Sequence, residues 1–137
     1  MTSAQIDEPP SAEKTALITR FMAASGIQAR INDGSFLQRY ALGGSPLLTA
    51  AGATVRETFN ALRVAYEPHR LTWQEVYESH VNWEFTETEL EEILLFLEGP
   101  SGEHFLEARG RMDAYIGTNT EHLLEQIISA AAAALAK

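Results

Sequence analysis

The chain has no cysteine. Thiolate catalysis, disulfides, iron–sulfur clusters and zinc-finger sites are therefore excluded. No run of eighteen or more apolar residues exists, so no segment reads as a membrane span. Gly-rich phosphate loops, dinucleotide fingerprints, H-E-x-x-H, EF-hand spacing and nucleophile elbows are also absent. Basic residues are scarce, with ten Lys and Arg against nineteen Asp and Glu, giving a net charge of −9.

The charge is unevenly placed. Residues 71–137 hold thirteen acids and three bases, and eight glutamates between Glu84 and Glu107 meet no lysine or arginine. This half repels a nucleic-acid backbone and anionic lipid heads. The first 70 residues are near neutral, and Arg56, Arg63 and Arg70 recur every seven along a helical stretch. That spacing reads as a solvated face or as a basic stripe for an acidic partner.

What the chain does have is helical periodicity. Its 137 residues, 45% hydrophobic, suffice for a core without metal or disulfide staples. The reading is all-α: a compact antiparallel helical bundle of about five to six helices. Residues 1–10 form a disordered lead and 11–137 a single helical domain. Met1 to Pro10 has neither a basic n-region nor an apolar core and is no signal peptide as it stands. If Met1 replaces a removed one, the location is periplasmic; otherwise it is cytoplasmic.

Ser11 caps a first helix whose face carries Leu17, Ile18, Phe21 and Met22, with Gly26 at its end. Ile27 and Ile31 continue that face, and Asn32-Asp33-Gly34 makes a turn. A short helix covers 35–42, broken by Gly43-Gly44, and Ser45-Pro46 caps a new start. Val55, Phe59, Leu62 and Tyr66 lie at helical spacing until Pro68. Thr72 with Glu75, Thr86 with Glu89, and Thr118 with Glu121 each read T-x-x-E, a capping box that starts a helix. The first opens a helix with Trp73, Val76, Tyr77 and His80 on its apolar face. The second opens one with Leu90, Ile93, Leu94 and Leu97, and Phe85 pairs with Leu90 as a hydrophobic staple. The third marks where the final helix breaks and restarts. Gly99 takes a left-handed position at a helix end, Pro100 starts the next helix, and Gly102 admits close packing. Phe105, Met112, Ile116, Leu123 and Ile127 then face the core.

Phe85-Thr86-Glu87-Thr88-Glu89-Leu90, followed by Phe96-Leu97-Glu98-Gly99-Pro100-Ser101-Gly102, resembles the uncharacterised bacterial family called domain of unknown function 2059. That family reads F-[TS]-x-x-E-L, then an aromatic pair ahead of [ST]-P-x-G. Phe85, Thr86, Glu89, Leu90, Phe96, Pro100 and Gly102 match. Leu97 stands where a tyrosine is usual and Gly99 where serine or threonine is usual. The resemblance spans roughly residues 13–125, with only 76–102 specific. It implies an all-helical domain with many relatives exported by Gram-negative bacteria, and no catalytic residues, because the family has no established activity.

An enzyme is disfavoured by the residues themselves. His69, His80, His104 and His122 form no ligand set. His80, one turn from Glu84, reads as a core histidine bonded to a neighbour before it reads as a proton relay or half a metal site. The glutamates line solvated helix faces rather than a shielded cleft. No catalytic residue, metal site or cofactor is assigned. The leading reading is a non-catalytic protein-interaction or structural module, monomeric or homodimeric, with no nucleic-acid partner. The alternative is a carrier of a small apolar ligand held between helices by Phe59, Tyr66, Trp73, Tyr77, His80 and Trp83. An enzyme of unassigned reaction is the third. An enclosed cavity favours the carrier, and an exposed apolar patch favours the module.

Overall fold

The structure, a computed structural model, describes residues 6–44 and 52–136. Among them are seven α-helices and no strand. They are α1 (Ala12–Ala24), α2 (Ile27–Asp33), α3 (Val55–Tyr66), α4 (Arg70–Glu84), α5 (Glu87–Leu97), α6 (Pro100–Asn119) and α7 (Glu121–Leu135). The count exceeds the expected five to six because Gly26 makes α2 a separate element and the last helix is divided at Thr120. The chain falls into two units, Met1–Glu98 and Gly99–Lys137.

In the first unit α1 packs on α5 and α4, and α2 packs on α4. Ser11 begins α1 as expected, its Oγ accepting from the Lys14 N–H at 3.1 Å. Gly26 then adopts φ +84°, a left-handed conformation that lets α2 leave at a new angle. The core is Leu17, Ile18 and Met22 of α1, Ile31 of α2, Val81 of α4, and Leu90 and Leu94 of α5, with Phe21, Ala24, Ile27 and Phe85 packed against it. Each large side chain withdrawn fully from water contributes about 1.5–3 kcal/mol, so this cluster is the unit's main source of stability.

The helix starts divide the three sequence boxes. Thr86 and Glu89 form the expected box, the Thr86 N–H donating to Glu89 Oε1 at 2.9 Å and the Glu89 N–H to Thr86 Oγ1 at 3.1 Å. Thr72 and Glu75 do not start a helix. Pro68 lies in a 3-10 turn, Glu67–His69, that hands α3 on to α4, so Thr72 is already inside α4. Its neighbours upstream are helical, leaving no free N–H groups to cap. A box not singled out from the sequence, Thr54 with Glu57, caps α3 instead. Residues 35–42 are not one α-helix. Ser35–Leu37 is a 3-10 turn and Tyr40–Gly44 a π-helical turn, so Gly43-Gly44 continue rather than break the coil. The Ser45-Pro46 start lies outside the described residues.

The face of α4 is also displaced from the sequence reading. Trp73, Val76, Tyr77 and His80 are exposed, whereas Val81 is buried and Gln74, Glu78, Asn82 and Phe85 are half-buried. The docking side of α1 and α2 decides which stripe is covered, and it favours the one that brings Val81 to Met22 and Ile31 in the core.

The second unit is described by itself. Gly99 is extended (φ −83°, ψ 167°) as the N-cap of α6, not left-handed; α5 ends at Leu97 with Glu98 as its C-cap. Pro100 opens α6 as expected, and Gly102 is buried. The Thr120 N–H bonds the Ile116 carbonyl and the Leu124 N–H bonds the Thr120 carbonyl, carrying the ladder from α6 into α7. Thr118 and Thr120 turn their hydroxyls back to Ala114 and Ile116, so the third T-x-x-E marks the break without forming a cap.

Candidate functional site

The six ligand-pocket candidates settle in separate places. Tyr66 and Trp73 meet edge to face at 5.9 Å. Phe36, not among the six, stacks on Trp73 at 4.9 Å and meets Tyr66 at 5.4 Å. This trio fastens the turn after α2 onto α3 and α4. The Tyr66 hydroxyl donates to the Ile31 carbonyl at 2.7 Å, and burial pushes its pKa up. Gly34 lies under the same ring: at φ +66°, any Cβ there would stand 3.2 Å from Tyr66 Cδ2.

Tyr77 and His80 line a groove of about 480 Å³ with Phe21, Val81, Glu84 and Phe85. His80 is exposed at this rim, not a core histidine. Trp83 lines a different groove of about 440 Å³ with Ile6, Pro9, Pro10 and Ile18. Phe59 is half-buried on α3, with the Arg63 guanidinium 5.7 Å from its ring centre.

Beside Trp83 lies a polar seam not anticipated from the sequence. Lys14 is only 6% exposed, and its Nζ donates at 3.0 Å to the carbonyl of Asn82 in the last turn of α4. A cation there satisfies one of the carbonyls that every helix end leaves unpaired. The Ile6 N–H bonds the Trp83 carbonyl and Asn82 Nδ2 bonds the Glu8 carbonyl, both at 2.8 Å. Ile6–Pro10 is thus held along α4 rather than disordered; residues 1–5 of that lead lie outside the described residues. The available signal was spacing, since Lys14 falls four residues before Ile18 on the apolar stripe of α1.

Arg20 of α1 and Glu98 pair across the unit, with Arg20 Nε donating at 3.2 Å. The hydrogen bond from Arg20 holds the Glu98 carboxyl below its ordinary pKa and raises that of Arg20. The motif residues of the α5 region divide as follows. Leu90 is fully buried, Phe85 packs on the core, Thr86 and Glu89 cap, and Phe96 is half-exposed.

The largest departure is in α6 and α7. Phe105, Met112, Ile116, Leu123 and Ile127 are all exposed instead of buried, as are Tyr115, Leu124, Ile128 and Leu135. Ile116 is 62% exposed and Ile127 64%. A Cβ added at Gly110 or Gly117 would meet no atom within 4 Å. Met112 and Ile116 share a face of α6, and Leu123 and Ile127 share a face of α7 beyond the break at Thr120.

Among the described residues no helix is long and apolar enough to cross a membrane, and no group of three or more His, Asp or Glu is placed to hold a metal ion. No protein-family model, no curated protein and no solved structure matches the chain.

Proposed function

We propose that the protein is a non-catalytic protein-interaction module whose working surface is the apolar face of α6 and α7. The observation that supports this is the exposure of Met112 and Ile116 on α6 and of Leu123 and Ile127 on α7. Large apolar side chains exposed together in this way are the mark of an interaction surface, whereas singly scattered ones are ordinary. A helix of this kind lays its apolar face against another protein surface. The carrier reading has less support, because the pocket candidates divide among different grooves and the trio around Tyr66 is occupied in fastening α2 to α3 and α4. The resemblance to the uncharacterised bacterial family carries no activity to set against this reading.

The test is site-specific photocross-linking in the cell. A photoreactive residue at Ile116 is expected to yield a discrete protein adduct, and one at Glu107, on the polar side, is not. Absence of any protein adduct from Ile116, or equal adducts from both positions, would overturn the proposal.

A further inference from the structure

We infer that Ile6–Pro10 is a releasable strap: closed, it lies along the end of α4 and shuts the Lys14 amine away from water, and open, it presents that amine together with the Asn82 amide. The closed state is the one described above. Among the described residues the strap is fastened by two hydrogen bonds, the Ile6 N–H donating to the Trp83 carbonyl and Asn82 Nδ2 donating to the Glu8 carbonyl, both at 2.8 Å. Of its five residues Ile6 is half-buried and the other four are exposed. Pro9 and Pro10 have fixed φ angles and stiffen the segment, so it swings as a short lever from the point where Ser11 starts α1.

Three features oppose closure. The strap is not packed flush on the helices, because its residues line two grooves, one of about 440 Å³ toward Glu75, Glu78 and Trp83 and one of about 410 Å³ toward Ser11, Lys14 and Glu87. Asn82 Oδ1 is buried with no hydrogen-bond partner, although Nδ2 of the same amide holds the strap. A buried acceptor without a donor costs free energy that water restores, so this atom favours the open state. Charge acts in the same direction. Asp7 and Glu8 of the strap share those grooves with Glu75, Glu78 and Glu87, with Lys14 the one base among the lining residues, and like charges resist approach. Against these stand two hydrogen bonds and one half-buried isoleucine. A segment held so lightly opens locally, without the core of α1, α4 and α5.

Lys14 is what the strap guards. It is 6% exposed and shares a groove wall with Ile6, Pro9 and Pro10. Its ammonium has three protons to donate and one acceptor, the Asn82 carbonyl at 3.0 Å, and among the described residues it forms no ion pair. Opening the strap therefore frees a cation that is already short of partners.

The chain has two lysines, Lys14 and Lys137, so acetylation of the full chain by an N-hydroxysuccinimide ester, read by mass spectrometry of its fragments, follows Lys14 directly. Lys14 is expected to react about tenfold or more slowly than in the urea-unfolded chain, at a rate indifferent to urea below the unfolding transition, because opening a strap exposes little surface. Ile6→Pro, which removes the N–H that bonds Trp83, is expected to raise the rate about fivefold with the circular dichroism unchanged. Ile6→Ala, which keeps that N–H and shortens the apolar contact, is expected to raise it less, and it carries the test if Ile6→Pro loses helicity. Lys14 reacting as fast as in the unfolded chain, a rate that climbs with urea in step with global unfolding, or a rate unmoved by the Ile6 substitutions would each overturn the proposal.

Discussion

Leu94 and Leu95 are neighbours on α5 with opposite environments: Leu94 is 1% exposed and Leu95 80%. Leu94→Ala removes three carbons from the cluster formed by Leu17, Ile18, Met22, Ile31, Val81 and Leu90. The cost is the lost transfer free energy plus the cavity left behind, together about 3–4 kcal/mol at a well-packed site. The net stability of a small domain is only about 5–15 kcal/mol, so this is a large fraction of the whole. Leu95→Ala removes the same atoms from solvent and is expected to stay within about 0.5 kcal/mol. Urea denaturation followed by circular dichroism reads the difference. With a slope of about 1.5–2 kcal/mol/M, the Leu94→Ala midpoint falls by about 2 M while that of Leu95→Ala scarcely moves. Comparable losses from the two variants, or a larger loss from Leu95→Ala, would refute the docking of α5 onto α1 described above.

Three further contrasts follow from local structure. Thr86→Ala, which breaks a formed capping box, is expected to cost about 1 kcal/mol, whereas Thr72→Ala, inside α4, costs nothing or stabilises slightly; equal effects in urea melts would contradict the assigned start of α4. Gly26→Ala forces a side chain into φ +84° and is expected to destabilise by about 1–2 kcal/mol, while Gly110→Ala, in open helix, strengthens α6 by up to about 1 kcal/mol; hydrogen exchange of α2 and α6 reads each. Glu98 has a folded pKa below its unfolded value, so the stability it contributes is present above the ordinary carboxylate range and lost as pH falls through the lowered folded value. Glu98→Gln is therefore expected to flatten the acid limb of the stability profile, and an unaltered limb would show that the Arg20 pair contributes nothing there.

The all-helical class was legible in the sequence because it is written in local chemistry. A 3.6-residue apolar period, serine and threonine caps, and proline or glycine at the joints act within one or two turns, whatever surrounds them. Ser11, the Thr86–Glu89 box and the Pro100 start came out as read for that reason. So did the buried faces of α1 and α5, where Leu17, Ile18, Met22, Leu90 and Leu94 enter the core. What the tertiary structure alone decided is which stripes find a partner. Periodicity shows that a helix has an apolar side, but burial depends on what docks there, and docking is set by residues far apart in the chain. α4 therefore turned Val81 inward in place of Trp73 and Tyr77, Lys14 was drawn from an apolar stripe to the far end of another helix, and the Thr72 signature went unused because Pro68 had already passed the helix on. The same gap separates the α6–α7 face from the core it resembles. Nothing in its amino acids distinguishes a stripe buried within the chain from one exposed to meet another surface, since the hydrophobic effect depends on the area withdrawn from water and not on which molecule withdraws it.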